Sequence, residues 1–302
     1  MAITIRMDLD TAYIEPLIDD WMEYLQQMMK EQEQEQFFDA TDFAMPFAAI
    51  PASTIKAAFK IAKYLELDSN VKYMAIQLYD RFMCKYFWEL YKTEIANDPS
   101  EASWFRICKK TSNHTKLYLM SCFQLACKMD SHSNSLGISQ ILNILYLIDK
   151  ESEYTRNMIS SSEIKVFQTV GFKMPFCTPL HCIQVLLAAT GLRETPNTFN
   201  ISMDLLDLAY LKHDRLYSQF HLYYAPKDAR NTEYVTRKLM SLKSNMLFLS
   251  AAIVFCATFF LCLDTNALEE RVILTKLAEL SDTMDTDIFN MASTLLLIVT
   301  QE

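Results

Sequence analysis

One lysine and one glutamate stand out as charged residues within otherwise apolar segments. Lys128 closes the run Ser121-Cys-Phe-Gln-Leu-Ala-Cys-Lys, and Glu163 follows thirty-five residues later. A cation and a carboxylate that are rigidly mounted on helices can form charge-assisted hydrogen bonds with backbone groups of another protein. A protein-binding site is therefore one interpretation of these two residues.

Each of these residues also has a purely structural interpretation. A cation at the C-terminal end of the helix predicted over residues 117–129 is favoured by the helix dipole, whether or not Lys128 binds a partner. If the next charged helix begins at Ser160, Glu163 completes a capping box. If that helix begins at Thr155, Glu163 lies on its apolar face. The sequence leaves these alternatives open.

The helix that carries Lys128 is predicted to be the central element of its domain. Nearly every residue from Leu117 to Met129 is apolar. The polar residues form a narrow stripe at spacings of three and four: Tyr118, Ser121, Gln124 and Lys128. We expect this helix to be buried on all sides except that stripe.

Composition predicts an all-α protein. The chain has 302 residues, enough for about two domains, and contains only 3 glycines and 8 prolines, too few for a fold rich in tight turns. Its formal net charge of −9 argues against direct nucleic-acid binding. It contains no P-loop, zinc-protease or nucleophile-elbow motif, so we do not expect an enzyme.

Cysteine usage indicates reduced core residues. The eight cysteines lie mostly in apolar runs and never as Cys-x-x-Cys. Cys177, His181 and Cys182 resemble half of a metal site, but no second half follows at zinc spacing, so no metal or other cofactor is expected. The first residues lack the apolar core of a signal peptide, and we expect no secretion.

Residues 246–263 form an apolar run of eighteen residues whose polar members are Ser250 and Thr258. This length reaches the lower limit for a membrane span. The run lacks the aromatic belt and basic flank of such a span, and a helix that is apolar all round is equally typical of a domain centre. We therefore expect it to be buried, with no membrane contact.

Other segments divide the chain further. Residues 13–36 form an amphipathic helix that packs on its own domain or binds a partner. Helices are predicted over residues 53–67 and 71–93. Residues 96–115 are predicted to be a long connection with at most a helical turn at Trp104. The basic residues in this stretch and directly after it are interpreted as a solvated loop surface: Arg106, Lys109, Lys110 and Lys116.

Three segments together resemble the first box of the cyclins. Leu78-Tyr-Asp-Arg-Phe82, Ala126-Cys-Lys-Met-Asp130 and residues 163–172 have the order and spacing of its second, third and fifth helices, and Thr178-Pro179 resembles the entry to the second box. The segments at 117–128, 163–178 and 205–213 are more closely similar to the cyclin N-terminal domain-containing protein 1 family, over about residues 50–300.

The resemblance implies an architecture of two tandem five-helix cyclin boxes preceded by an N-terminal helix. It places the N-terminal helix and its polar tail at residues 1–46, the first box at 47–174 and the second box at 175–302. Five predicted helices fill the second box: 180–189, 199–220, 242–263, 267–280 and 286–299.

The resemblance also implies a function. Such a regulator binds a cyclin-dependent kinase, which in this family resembles cyclin-dependent kinase 2. It acts in the nucleus on meiotic chromosomes, where it promotes crossover designation and maturation together with other crossover proteins. Lys128 and Glu163 fall where the family binds the kinase near its regulatory helix. The alternative is a cyclin-fold scaffold at crossover sites that activates no kinase.

The substrate-docking patch of the family is degenerate in this chain. Ile50, Thr54 and Ala57 occupy its positions, and the family's arginine, leucine and tryptophan are missing. Because the apolar anchors that line such a groove are gone, recognition of a basic-hydrophobic substrate motif is not expected. Where the family has two acidic residues after its lysine, this chain has Asp130 and Ser131. The kinase contact is therefore expected to differ from that of cell-cycle cyclins.

Overall fold

The computed structural model describes residues 15–36, 50–97, 100–130, 135–150, 153–175, 177–224, 232–261 and 267–301. Within them the chain forms fourteen α-helices, one short 3₁₀ helix and no β-strand, which confirms the all-α fold class. The chain divides into two compact units. The first unit comprises residues 45–178, and the second unit comprises residues 1–44 and 179–302.

In the first unit, the central helix is the one that carries Lys128. The helices of this unit are α2 (Ala52–Tyr64), α3 (Ser69–Asn97), α4 (Glu101–Ser112), α5 (Thr115–Met129), α6 (Ile138–Ile148) and α7 (Arg156–Thr169). Helix α5 packs against α3, α6 and α7. All eleven residues from Leu117 to Cys127 are buried, so α5 forms the core of the unit.

The polar stripe of α5 does not face solvent as predicted. Tyr118, Ser121 and Gln124 are all buried, and only Lys128 is exposed. The prediction was wrong for Ser121 and Tyr118 because α7 packs against α5 and supplies polar partners for them: Ser162 for Ser121 and Lys165 for Tyr118. Buried hydroxyls are stable in such a position only when they are hydrogen-bonded.

The predicted long connection at residues 96–115 is instead mostly helical. Helix α4 begins after Ser100, whose hydroxyl accepts a hydrogen bond from the Ser103 amide at 3.3 Å. Ser103 and Ile107 are buried, and α4 packs against α3. The first unit therefore contains six helices among its described residues, where the cyclin resemblance implies five.

In the second unit, the apolar run of residues 246–263 contains the most buried helix. Residues Leu247–Thr258 are all buried, as predicted. This helix packs against most of the other helices of the unit. The helices are α1 (Glu15–Gln36), α8 (Pro179–Ala189), α9 (Thr198–Leu211), α10 (His213–His221), α11 (Thr232–Ser244), α12 (Met246–Phe260), α13 (Ala267–Ser281) and α14 (Asp285–Thr300).

Two boundaries in this unit differ from the sequence predictions. The segment predicted as one helix over residues 199–220 is broken at Lys212 into α9 and α10, and α11 was not predicted.

Helix α1 packs against α8 and α12, so the N-terminal helix packs within its own unit. The assignment of tandem five-helix boxes remains a prediction.

No single helix in the described part of the chain is both long and apolar enough to cross a bilayer. Two consecutive helical segments, Val235–Ser244 and Met246–Phe260, reach that length and hydropathy only together, across a bend of 76°.

Two leucines on α6 provide a matched test of the core. Leu145 is fully buried and Leu147 is 57% exposed. Leu145→Ala should lower the free energy of unfolding by about 2–5 kcal/mol, because it leaves a cavity. Leu147→Ala should change it by less than about 0.5 kcal/mol. Urea unfolding followed by circular dichroism measures both. Equal effects would contradict the described orientation of α6.

Candidate functional site

The two residues singled out from the sequence form an ion pair with each other. Nζ of Lys128, on α5, donates a hydrogen bond to Oε1 of Glu163, on α7. The lysine side chain is 45% exposed and the glutamate side chain 16%. The pair therefore lies at the surface of the first unit with its cation outermost. The sequence indicated both residues but not their contact.

Their positions follow from the ends of their helices. Lys128 is the first exposed residue after the eleven buried ones of α5. Helix α7 begins at Arg156, and the Thr155 hydroxyl accepts a hydrogen bond from the Met158 amide at 3.3 Å. Ser160 is thus inside the helix, which rules out the capping-box interpretation of Glu163. Glu163 lies in the second half of α7, beside the C-terminal end of α5.

A pair of buried hydroxyls holds α7 against α5 one residue before Glu163. The hydroxyls of Ser121 and Ser162 lie 2.5 Å apart, so one of them donates its single proton to the other, and the hydroxyl that accepts donates to a backbone carbonyl of its own helix, Leu117 for Ser121 or Ile159 for Ser162. Because both hydroxyls are buried, separating the two serines would cost this hydrogen bond between helices without replacing it by water. The contact therefore fixes the rotation of α7 that places Glu163 beside Lys128. Ser121 was noted in the sequence, but its partner was not.

A second contact that the sequence did not indicate lies two residues after Glu163. Lys165 Nζ donates a hydrogen bond to the Tyr118 hydroxyl at 3.1 Å and lies 4.1 Å from the centroid of the Tyr86 ring. Burial is the largest single influence on the pKa of Lys165 and lowers it, but the hydrogen-bond and electrostatic interactions with Tyr118 and Tyr86 together outweigh burial and raise that pKa overall. Lys165 thus stays charged and joins α7 to α3 and α5 through cation–π and hydrogen-bond contacts.

Exposed apolar side chains flank the ion pair in sequence. Met129, next to Lys128, is 44% exposed, and Ile164, next to Glu163, is 57% exposed. Gly171, two residues after the last residue of α7, has a φ of +72°, which stops the helix. The next residue, Phe172, is 63% exposed. Met129 and Ile164 are thus exposed apolar residues next to the charged pair in sequence, and protein-binding surfaces combine apolar contacts that supply affinity with charges that fix orientation.

The thiol beside the pair is not poised for nucleophilic chemistry. Burial, together with the nearby Asp130 carboxylate, raises the pKa of Cys127 to about 11. The thiol is therefore protonated near neutral pH, and a protonated thiol is a weak nucleophile and metal ligand. Among the described residues, no group of three His, Cys, Asp or Glu side chains is arranged to hold a metal ion.

The degenerate docking positions lie at the start of α2. Ile50, just before the helix, is 8% exposed, and Thr54 and Ala57 on the helix are half-buried. These positions therefore expose little apolar surface. Their loss of docking function stays a prediction.

Comparison with known proteins gives two curated relatives. Both are named Cyclin N-terminal domain-containing protein 1, from Mus musculus and Homo sapiens, and each is 24% identical to this chain over 213 residues. This chain is a distant relative of that family. The match covers 68% of this chain and 63% of the mouse and 64% of the human protein, so it spans less than two thirds of their length.

The names of both relatives include a cyclin domain. This agrees with the family resemblance drawn from the residues around Lys128 and Glu163. No family model matches the chain. No solved structure matches it either.

The geometry predicts that the buried serine contact contributes more to the stability of the first unit than the ion pair does. Lys128→Ala and Glu163→Ala should each lower the free energy of unfolding by at most about 1 kcal/mol, because the pair lies at the surface with a cation that is 45% exposed, and water weakens such an ion pair. Ser162→Ala should lower it by about 1–3 kcal/mol, because it removes a buried hydrogen bond and leaves Ser121 with one partner fewer. Urea titrations of the three variants measure these differences. A larger loss for the charged residues than for Ser162 would make the ion pair mainly structural.

Proposed function

We propose that this protein is a cyclin-like regulatory protein that binds a cyclin-dependent kinase through the surface around Lys128 and Glu163, and that it is not an enzyme. The observation that carries the proposal is the ion pair itself. Two residues that the cyclin resemblance assigns to kinase binding come from helices thirty-five residues apart in sequence and lie side by side at the surface.

The arrangement suits a backbone-binding role. Lys128, whose side chain is 45% exposed, carries three donor hydrogens, and its single contact with Glu163 leaves two of them for a partner, while the 16% exposed Glu163 carboxylate offers its accessible edge. In the cyclin resemblance, that partner is the segment next to the regulatory helix of the kinase. Holding this helix in place assembles the lysine–glutamate pair that a kinase needs before phosphoryl transfer.

The mounting of the two charges favours binding over a mobile surface role. Helix α5 is buried up to Cys127, and α7 is held by Ser162 and Lys165 on either side of Glu163. Side chains on rigid elements lose little conformational entropy when a partner binds. Exposed Met129 and Ile164 beside the charges add apolar area that a partner helix can cover.

The resemblance extends the proposal to the setting of this activity. We propose that the protein regulates crossover designation and maturation in the nucleus, on meiotic chromosomes. Its partners would be a kinase similar to cyclin-dependent kinase 2 and other crossover proteins. The curated relatives carry a cyclin domain in their names and nothing about these partners.

Co-purification with a panel of cyclin-dependent kinases tests the proposal. We expect the wild-type chain to retain at least one kinase and to raise its activity on a histone substrate. Lys128→Ala with Glu163→Ala should lower the affinity at least tenfold, because truncating residues at the centre of an interface commonly costs more than 1.4 kcal/mol.

A second ion pair on the same helix gives the control. Lys116, near the start of α5, pairs with Asp149 at 3.3 Å, with side-chain exposures of 47% and 14% that match those of Lys128 and Glu163. Lys116→Ala with Asp149→Ala should leave kinase binding unchanged. If no kinase is retained, or if both double variants bind equally well, the protein is better described as a cyclin-fold scaffold.

A further inference from the structure

Helix α1, in the second unit, exposes an apolar stripe that the kinase-binding proposal does not use. Leu17, Trp21 and Tyr24 follow one another at spacings of four and three residues, so they lie on one side of the helix over about 10 Å. Their exposed fractions are 56%, 52% and 48%. Met22 and Leu25 are buried instead, and α1 packs against α8 and α12. Tryptophan and tyrosine at a protein surface are typical centres of binding sites.

An acidic border runs along this stripe. Asp20 lies three residues after Leu17 and four before Tyr24, which places it beside both. Glu31 lies seven residues after Tyr24, on the same side two turns further on. Both acidic side chains are exposed. Glu31 accepts a hydrogen bond from the neutral side-chain amide of Gln27 at 3.0 Å, which leaves the charge of the carboxylate in place.

No basic side chain of α1 lies beside the stripe. Lys30 is the single lysine or arginine of the helix. It lies nine residues after Trp21, which is about two and a half turns, so it points to the opposite side. There it pairs with Asp282 at 3.4 Å. Gln26, one turn before Lys30 and on the same side, donates to the Leu280 carbonyl of α13 at 2.9 Å, so the end of α13 also lies away from the stripe.

The two helices that α1 packs against add no positive charge to this side either. Helices α8 and α12 contain no lysine or arginine. The one histidine of α8, His181, is half-buried, and burial lowers its pKa, so it is neutral near pH 7. Asp20 and Glu31 therefore leave the stripe with an excess of negative charge.

The stripe suits a helical partner segment. The backbone groups in the middle of α1 bond to one another within the helix, so its surface offers none with which an extended strand could pair. A partner helix satisfies its own backbone groups and packs its side chains between Leu17, Trp21 and Tyr24 as ridges into grooves. Lysine or arginine side chains on that helix reach the acidic border and stack on the Trp21 ring.

We infer that the stripe of Leu17, Trp21 and Tyr24 docks a basic amphipathic helix of a partner protein. Apolar side chains of that helix lie against the stripe, and its lysine or arginine side chains lie beside Asp20 and Glu31. The stripe belongs to the second unit, whereas the proposed kinase-binding residues belong to the first. The inference does not depend on kinase binding.

The charge of the stripe disfavours other occupants. A second copy of the chain would bring two acidic borders together with no basic residue between them. Nucleic acids and anionic lipid surfaces are repelled by the same carboxylates. The chain segments on either side, residues 1–14 and 37–49, supply Arg6 as their single lysine or arginine. A partner segment rich in lysine or arginine is the occupant that matches the charge.

Selection from a phage-displayed library of helical peptides tests this inference. The library varies the exposed positions of a single helix among acidic, basic and apolar residues, so it contains peptides of either charge. The immobilised full chain is the bait, and the Asp20→Lys plus Tyr24→Ala variant is used for counter-selection. We expect the enriched peptides to carry several lysine or arginine residues beside an apolar stripe with spacings of three and four residues.

An anisotropy titration of the best peptide, labelled with fluorescein, measures the contribution of each residue. The Asp20→Lys and Tyr24→Ala variants should each bind this peptide at least about tenfold more weakly than the wild-type chain. Affinity for the wild-type chain should fall as salt rises, because the contact is partly electrostatic.

Two matched variants are the controls. Asp19→Lys makes the same change of charge on an exposed neighbour that lies two residues before Trp21 and so points away from the stripe. Tyr223→Ala removes a tyrosine that is 49% exposed, close to the 48% of Tyr24. Both should leave the Kd within about threefold of the wild-type value, because charges away from the contact are screened. Circular dichroism of each variant should match that of the wild-type chain.

The inference is overturned if no peptide is enriched over the counter-selecting variant, if acidic peptides are enriched, or if Asp19→Lys weakens binding as much as Asp20→Lys. Sedimentation equilibrium supplies one more outcome against it, because a wild-type dimer that Tyr24→Ala dissociates would assign the stripe to a second copy. The peptide titration uses no kinase, so its failure is distinguishable from a failure of the proposed function.

Discussion

The burial of α5 is the constraint on which the first unit and its site depend. Eleven successive residues, from Leu117 to Cys127, are withdrawn from solvent, which requires neighbouring helices on every side. Helix α7 is one of these neighbours, and its contact at Ser162 is polar, because Ser121 must keep a hydrogen-bond partner. The same packing brings Glu163 to the point where α5 reaches the surface. The ion pair of Lys128 and Glu163 is thus a consequence of how the core closes, and mutation of the exposed charges can change binding with little effect on the fold.

Much of this could be predicted from the sequence, because it depends on local pattern. The apolar run before Lys128 indicated a central helix, the eighteen-residue run at 246–263 indicated a second buried helix, and the scarcity of glycine indicated an all-α fold. The stripe of Tyr118, Ser121 and Gln124 was misjudged, because a polar side chain is compatible with solvent or with a buried partner. Only the packing shows that Ser162 and Lys165 are those partners. Spacing within one helix carries no information about the rotation of another.

Helix α4 is a different kind of error, because its signals were present in the sequence. Ser100 and Glu101 are a helix start with an acidic first turn, and Lys109 and Lys110 supply a basic last turn. The charges were interpreted as a solvated loop surface because the stretch is polar and was taken to be a long connection between two helices. With 24% identity to the curated relatives, resemblance is informative about the helices around Lys128 and Glu163 and much less so about an additional element.

The most direct test of the account is hydrogen–deuterium exchange of the full chain with and without a purified cyclin-dependent kinase catalytic subunit, taken from those that bind it. If the kinase covers the ion pair, backbone amides at the end of α5, residues 126–130, and in α7, residues 156–169, should exchange more slowly in the complex, while α4, residues 101–112, should be unchanged. Protection confined to other helices, or no protection at α5 and α7, would contradict the claim that Lys128 and Glu163 form the kinase-binding surface.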